Sequence, residues 1–225
     1  MANKKIYTAV IGDIKNSRIL SERGEVQKHL HEVLAEINER YKTEICAKFL
    51  ITLGDEFQGL LCKPERCLEI IRLIENKLYP VKLRFGVGIG EITTSINEEM
   101  ALGADGPAFY SAREAITEIK NNERKDANYP NVKFASTEES IDLRQVNSIC
   151  SLLKFLKRRW TTKQTETIRD LELYGGNQKE SAERLGINQS NISRRLVDSG
   201  YSIYLQLIDM AERNLGEISK NQCLH

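Results

Sequence analysis

The sequence lacks any long apolar run, and that absence excludes membrane-spanning proteins. No stretch approaches the roughly 20 apolar residues that a membrane-spanning helix requires. The apolar stretch near the start, within MANKKIYTAVIGDI, is also too short for a secretory signal peptide. Internal repeats and low-complexity segments are missing as well. We therefore expect a protein with cytoplasmic localisation and no membrane partner.

Patterns for metal binding and for disulfides are equally scarce. The five cysteines are odd in number and show no C-x-x-C spacing, which is typical of reduced thiols in a cytosolic protein rather than of a disulfide framework. The three histidines have no ligand spacing, and His29 and His31 point to different sides of a predicted helix. We therefore expect free thiols and no zinc site. The residues concerned are Cys46, Cys62, Cys67, Cys150, Cys223, His29, His31 and His225.

The net charge of +1 hides an uneven distribution of charge along the chain. Residues 151–200 include ten Lys or Arg and six Asp or Glu, whereas residues 1–150 include 21 and 23 respectively. A positive balance in one segment favours contact with phosphates there. The length of 225 residues fits one large domain or two small ones, and the charge asymmetry favours two.

Apolar periodicity in the first 135 residues alternates between strand and helix. The pattern predicts strands over 5–11, 45–53, 57–61, 82–92 and 132–135, and helices over 21–41, 64–78 and 107–120. The resulting order, β-α-β-β-α-β-α-β, is that of a ferredoxin-like sheet with an added helix and strand. We therefore predict an α+β fold class, with an all-α domain after the sheet.

The later part of the chain has helical patterning only. Helices are predicted over 148–159, 162–174 and 201–215, with two more within 178–196. Polar and charged residues over 136–147 indicate a boundary. We therefore expect a ferredoxin-fold domain over 1–145 and a helix-turn-helix domain over 146–225.

Residues 178–196, QKESAERLGINQSNISRRL, show the pattern of a helix-turn-helix. Such a motif needs a small residue in the first helix, a residue that tolerates positive φ at the turn, and an apolar residue in the second helix. Ala182, Gly186 and Ile192 meet these needs, with Leu185, Ile187 and Leu196 completing the buried side. The alternative is an ordinary helical hairpin with a solvated outer face. On the first interpretation the partner is DNA, contacted by Gln189, Ser190, Asn191, Ser193 and Arg194.

Two carboxylates fall at strand ends that a ferredoxin-like sheet would bring to one rim. Asp13 ends the first predicted strand, and Asp55 lies in the hairpin between the next two. Convergent carboxylates suit Mg²⁺ that arrives with a nucleotide. The following loop, Lys15, Asn16, Ser17 and Arg18, would supply N–H groups and cations to the phosphates. The alternative is that both aspartates are ordinary turn residues.

Several short motifs together resemble a known family. They are D-I at 13–14, G-D-E-F at 54–57, R-F-G-V-G-I-G at 84–90 and G-P-A-F-Y-S-A-R at 106–113. Over roughly residues 5–135 the chain resembles the catalytic domain of class III nucleotide cyclases and their diguanylate cyclase relatives. With its I-G-D-I-x-x-S-R opening and helix-turn-helix, the whole chain is most similar to the SatD family of bacterial proteins.

The cyclase resemblance implies roles for individual residues. Asp13 and Asp55 would be metal carboxylates, the Ile14 carbonyl an additional ligand and Glu56 a further one. Arg113 would bind phosphate, although it is displaced by one residue from the arginine of the cyclase pattern.

The sequence also departs from that family. Ile51 stands where class III cyclases place a base-recognising lysine, Phe109-Tyr110 replaces their V-N pair, and Leu53 stands at the first glycine of G-G-D-E-F. Turnover needs charge stabilisation where phosphoryl transfer develops it. The residues that still match the family are therefore those that would bind the metal ion and the phosphates.

Three functional hypotheses follow. The leading one is a ligand-responsive transcriptional regulator whose cyclase-like domain binds a nucleotide-type ligand, with Mg²⁺ as its cofactor, and whose helix-turn-helix binds DNA. One such motif reads few base pairs, so a homodimer is expected, with Ile203, Leu207 and Met210 providing contacts. The second is a divergent metal-dependent nucleotidyl cyclase or nucleotidyltransferase. The third is that the first domain is an oligomerisation scaffold.

Overall fold

The computed structural model describes residues 5–17, 23–137, 140–175 and 177–222. Within these ranges there are five strands: β1 (Tyr7–Ile14), β2 (Ile45–Leu53), β3 (Glu56–Leu61), β4 (Leu83–Gly90) and β5 (Val132–Ser136). The eight helices found there are α1 (Arg23–Arg40), α2 (Cys67–Leu78), α3 (Pro107–Asn122), α4 (Ile141–Arg159), α5 (Thr162–Tyr174), α6 (Gln178–Leu185), α7 (Gln189–Asp198) and α8 (Tyr201–Gln222). None of the described helices has an apolar stretch long enough to cross a bilayer.

The five strands form one mixed sheet in the order β2-β3-β1-β4-β5. Strand β1 lies at the centre and pairs antiparallel with β3 and β4, while β5 adds parallel to β4. The first four strands have the ferredoxin-like order, and the predicted α+β class is confirmed. The ends of β1, β3 and β4 therefore meet at one rim of the sheet.

One face of the sheet is covered by α1 and α2 in a large hydrophobic core. Helix α1 buries Leu30, Val33, Leu34 and Ile37, which lie on one side at helical spacing. Helix α2 has charged residues between buried ones in the same way. The expected start of α1 at Ser21 lies outside the described residues.

The opposite face is covered by α3, which approaches β4 very closely. A Cβ at Gly86 would lie 2.1 Å from the Ala112 carbonyl oxygen, and one at Gly88 would lie 1.8 Å from the Ala108 oxygen. Only glycine leaves room for the backbone of α3 at these positions. These contacts indicate that Gly86 and Gly88 serve the close packing of β4 against α3.

Helix α4 begins seven residues before its predicted start, within the segment expected to be a polar boundary. The Ser140 hydroxyl accepts a hydrogen bond from the Leu143 backbone N–H at 3.1 Å and so caps the helix. Leu143 and Val146 are buried in the core against the sheet. Charged residues surround both positions in the sequence, so their spacing of three does not by itself indicate a helix. Because this core includes residues on both sides of position 145, the domain division stays a prediction.

The last helices pack in two clusters that share side chains. Helix α8 lies along α4, and its buried residues Tyr204, Ile208, Ala211 and Leu215 join the core beside the sheet. Helices α5, α6 and α7 form a smaller cluster of their own. Trp160 and Tyr201 pack against both clusters, so the α5–α7 group is attached to the rest of the molecule through apolar contacts.

Two cysteines form a disulfide, which corrects the expectation of reduced thiols. Cys46 and Cys62 are bonded across the β2–β3 pair with their Cα atoms 5.3 Å apart. Pairing of the two strands brings together residues that are 16 apart in sequence, and spacing alone does not reveal this. Cys67 and Cys150 are free and buried, so the expectation of free thiols is confirmed for these two residues. Cys223 lies outside the described residues.

Candidate functional site

A tight turn joins α6 and α7. Gly186 ends α6 in the left-handed conformation, with φ 63° and ψ 34°, and its N–H donates to the Glu183 carbonyl at 3.2 Å. The Ile187 N–H donates to the Ala182 carbonyl at 3.0 Å, and α7 starts two residues later at Gln189. A residue without Cβ is favoured at such a φ, as the sequence pattern predicts for this glycine.

The inner side of α7 is held by α5 and α6. Ile192 is fully buried and Leu196 nearly so, and they pack with Ile168 and Leu171 of α5 and with Ala182 of α6. These contacts fix which face of α7 is turned outward.

An ion pair adds to this support. Arg184 of α6 donates to both oxygens of Asp170 on α5, at 2.9 and 2.8 Å. Burial would raise the pKa of Asp170, but the hydrogen bonds and charge of Arg184 hold that pKa below its ordinary value. The α5–α6 pair is therefore a fixed base for α7.

The residues predicted to contact DNA lie on the outer side of α7. Gln189, Ser190, Ser193 and Arg194 are exposed, and Asn191 is half-buried. Arg194 donates from Nη2 to the Asn191 side-chain oxygen at 2.8 Å, so the two side chains orient each other. The structure therefore places the five residues together on or next to the outer side of α7.

At the rim of the sheet, Asp13 lies in a buried ion pair. Asp13 of β1 is opposite Glu56 of β3 and Arg84 of β4, which places the three side chains in one row on the α3 face. Asp13 is 6% exposed. Its carboxylate contacts the Arg84 guanidinium, and its other oxygen is 3.2 Å from Lys120 Nζ on α3.

The ion pair extends into a network through Glu123. Arg84 also contacts the Glu123 carboxylate, which in turn accepts from Lys15. Burial alone would raise the pKa of Glu123, but hydrogen bonds from Arg84 and Lys15 hold it below its ordinary value. The predicted phosphate-binding residue Lys15 is therefore engaged by a carboxylate.

Asp55 lies at the same rim as Asp13 but has different partners. The Ile14 backbone N–H donates to the Asp55 carbonyl at 3.1 Å, which joins the hairpin to the end of β1. The Ser17 hydroxyl donates to the Asp55 carboxylate at 2.5 Å. Glu56 accepts from Arg113 of α3 at 3.5 Å.

The other predicted phosphate-binding residues are distributed around this rim. Asn16 is exposed with a positive φ of 56°, and Ser17 is buried against Asp55. Arg113 is exposed on α3. Arg18 lies outside the described residues.

A basic cleft of about 470 Å³ lies between the sheet, α2, α4 and α5. Its cationic side chains come from separate parts of the chain. They are Lys15 after β1, Lys82 before β4, Lys154, Lys157 and Arg158 of α4, and Arg169 of α5. Glu75 and Glu172 are the acidic residues among the described lining residues.

Comparison with known proteins assigns the family. The model of the SatD family matches residues 7–215. The chain belongs to the SatD family. No match is found among curated proteins.

Among solved structures, the SatD chain is similar to two cyclases. The guanylate cyclase domain of RhGC from Catenaria anguillulae, in complex with GTP, is 17% identical, with coverage of 52% of this chain and 73% of that one and a TM-score of 0.38. A bacterial light-regulated adenylyl cyclase is 15% identical, with coverage of 57% and 74% and a TM-score of 0.39.

A third similar structure covers more of the SatD chain. It is a regulator of polyketide synthase expression from Bifidobacterium adolescentis, 11% identical, with coverage of 94% of this chain and 86% of that one and a TM-score of 0.26.

The described carboxylates at the rim of the SatD protein are engaged by side chains of the same chain. In the part of the chain that the structure describes, no three His, Cys, Asp or Glu side chains converge. Both Asp13 oxygens face cations, Arg84 and Lys120, whose charges would repel a metal ion. A Mg²⁺ ion held by Asp13, Asp55 and Glu56 would have to displace them, and these three ligands stay a prediction.

The spacing of residues along the chain does not indicate the basic cleft of the SatD protein. Its cations come from residues next to β1 and β4 and from α4 and α5, and of the phosphate-binding residues predicted from the sequence Lys15 lines it. Arg158 and Trp160 both line the cleft, and Trp160 Nε1 donates a hydrogen bond to the Ser199 carbonyl at 2.9 Å.

Proposed function

We propose that this SatD protein binds DNA through α7 and regulates transcription. One observation carries the proposal: α7 follows a tight left-handed turn, is anchored by the buried Ile192, and presents polar side chains outward. A helix that enters the major groove needs this combination of a fixed inner face and a free polar outer face.

The outer residues have the chemistry that base recognition requires. Asn and Gln can form two hydrogen bonds with adenine, and Arg can do so with guanine. Asn191 and Arg194 already bond to each other, which restricts their side chains before any contact with DNA. Ser190 and Ser193 can donate to phosphates or bases.

A second copy of the chain would give the specificity that one motif lacks. A single recognition helix contacts few base pairs, so two copies of the chain on a two-fold symmetric site would read more of the sequence. Ile203 and Met210 of α8 are 54% and 53% exposed, and Leu207 between them is half-buried. We propose that this part of α8 contributes to the contact between subunits.

The first domain is proposed to sense a phosphate-bearing ligand. Its likeness to nucleotide cyclase domains motivates this assignment, and the cations at its rim and in the adjoining cleft support it. The alternative, metal-dependent nucleotidyl transfer at Asp13, is less favoured because Arg84 and Lys120 already neutralise that carboxylate. Conversion of a nucleoside triphosphate that Asp13→Asn abolishes would favour the enzyme instead.

DNA binding can be tested without knowledge of the operator. The full chain would select duplexes from a randomised pool, and the recovered DNA would be titrated in a mobility-shift assay. We expect Arg194→Ala to weaken binding about tenfold or more. Arg213→Ala, which removes an exposed arginine of α8, is the matched control and should bind as the parent does. Failure to enrich any sequence, or equal binding by Arg194→Ala, would reject α7 as the recognition helix.

A further inference from the structure

Lys154 is a half-buried cation that forms no salt bridge with a described residue. It lines the basic cleft, and within the described residues it has neither a hydrogen bond nor an ion pair. Burial lowers the pKa of Lys154 to about 8, and repulsion by Lys15, Lys157 and Lys82 contributes to the same change, which Glu75 opposes. A folded protein that keeps such a group normally gives it a partner.

The neighbouring cations are only partly neutralised. Lys157 is paired with Glu75 at 2.6 Å, and Glu172 is engaged by Arg72 of α2 at 2.5 Å. Lys15 is engaged by Glu123, whereas three further cations contact uncharged groups. Arg158 donates to the Asn128 side-chain oxygen at 3.0 Å, Arg169 donates to the Asn76 carbonyl at 2.6 Å, and Lys82 lies over the Tyr79 ring.

We propose that this cleft binds a small molecule carrying at least two phosphate groups. The cleft collects four cations that have no carboxylate partner among the described residues: Lys82, Lys154, Arg158 and Arg169. Its volume of about 470 Å³ lies within the range of small-molecule sites. Two or more phosphates would supply both the negative charge and the acceptor oxygens that these side chains lack.

The shape of the cleft favours a small anion over a nucleic acid. Lys154 and Lys157 are partly buried between α2, α4 and the sheet rather than displayed on a convex surface. A duplex contacts cations that project from the protein, whereas a small anion can enter a recess. Arg158 and Lys82 are exposed at the edge, where they would attract the anion.

Occupation of the cleft would act on α5, which is a wall of the cleft and a support of α7. Arg169 and Ile168 both line the cleft, and Ile168 also packs in the cluster that contains Ile192. An anion that draws Arg169 toward Lys154 would therefore shift the base on which α7 rests. This regulatory consequence depends on the proposed DNA-binding function, whereas the binding of the anion does not.

The binding test uses isothermal titration of the full chain with pyrophosphate, ATP and adenosine at low ionic strength. Pyrophosphate and ATP should bind and adenosine should not, because the phosphates supply the contacts. Lys154→Gln should weaken pyrophosphate binding at least tenfold, which is about 1.4 kcal/mol. Lys154→Arg should retain binding because it retains the charge. Lys28→Gln, a change of an exposed lysine of α1, is the control.

Three results would overturn the site. The first is that the parent binds neither pyrophosphate nor ATP. The second is that Lys154→Gln binds both as the parent does, which would place the anion outside the cleft. The third is that Lys154→Gln alters only DNA affinity, which would make the cleft a DNA contact. A cooperative thermal transition in each variant would show that loss of binding is not loss of folding.

The regulatory step has its own readout. Addition of pyrophosphate or ATP should change the mobility-shift affinity of the parent for selected DNA and leave that of Lys154→Gln unchanged. If the anion binds but DNA affinity stays constant, the site stands and its link to α7 is rejected. If no DNA is bound at all, titration with pyrophosphate still decides the anion site.

Discussion

Arg84 forms a buried ion pair with Asp13 from the directly opposite position on the neighbouring strand. Lys120 approaches the same carboxylate from α3, and Arg84 reaches on to Glu123. The carboxylate that the cyclase resemblance assigns to a metal ion is thus part of a protein-only charge network. Its first measurable role is in stability.

Asp13→Asn should lower the free energy of unfolding by about 2 kcal/mol. Removal of one member of a buried pair leaves the other uncompensated, and Glu123 limits the loss because it still contacts Arg84. Urea unfolding without nucleotide or metal measures this. Asp209→Asn breaks an exposed pair with Arg213 and should cost less than about 0.5 kcal/mol. An unchanged stability combined with loss of Mg²⁺-dependent ligand binding would instead support the metal role.

Gly88→Ala should be far more destabilising than an ordinary glycine substitution. The new Cβ would lie 1.8 Å from the Ala108 carbonyl oxygen, and backbone of α3 cannot yield as a side chain does. We expect a loss of at least about 3 kcal/mol in urea unfolding, or no folded protein. Gly24→Ala in α1 meets nothing within 4 Å and should be neutral or stabilising. A small cost at Gly88 would mean that α3 is not held so close to β4.

Ile192→Ala should weaken both stability and DNA binding. Ile192 is fully buried beneath α7, and its truncation leaves a cavity that costs about 2–4 kcal/mol if the α5–α7 cluster unfolds with the rest. Val197, on the same helix, is 75% exposed. Val197→Ala should therefore leave thermal unfolding unchanged. Equal unfolding curves for the two variants would show that α7 is not anchored through its inner face.

Lys154→Met should stabilise the protein below about pH 8. The pKa of Lys154 falls from 10.5 to about 8 on folding, so the penalty for its buried charge is fully present below pH 8. Between pH 8 and 10.5 the unfolded chain binds more protons, so parent stability rises with pH and the difference from Lys154→Met shrinks. With allowance for partial exposure we expect about 1 kcal/mol at pH 7.

The comparison that checks this is a series of urea titrations from pH 6 to about pH 10.5, with Lys28→Met as the control. The charged groups that face Lys154 are Lys15, Lys82, Lys157 and Glu75, and all four are present in both proteins. If the difference in stability between Lys154→Met and the parent grew with pH, its sign would be wrong. That result would show that the charge of Lys154 is not a penalty in the folded protein.

Local patterns predicted most of the elements and the turn between α6 and α7. The hairpin of β2 and β3 follows from two apolar runs around Gly54, and the left-handed conformation at Gly186 follows from the need for positive φ. Both depend on residues that are close in sequence. The start of α4 could not be predicted, because charged residues surround Leu143 and Val146 in the sequence. Their burial depends on packing against the sheet.

Long-range features could not be predicted in this way. The Cys46–Cys62 bond depends on the register of β2 and β3, and the partners of Asp13 come from β4 and α3. The cleft around Lys154 requires β1, β4, α4 and α5 to be placed together. No spacing in the chain contains this information, since each contributing segment has an ordinary composition.

The most direct measurement of DNA recognition pairs a side-chain change with a base change. The parent and Asn191→Ala would be titrated by anisotropy against the selected duplex and against duplexes altered at each single position. If Asn191 reads a base, one altered position should weaken the parent's free energy of DNA binding by about 1–3 kcal/mol. The same altered position should leave the binding of Asn191→Ala unchanged. If every altered position costs the two proteins the same amount, α7 does not read the sequence, and its assignment as the recognition helix is contradicted.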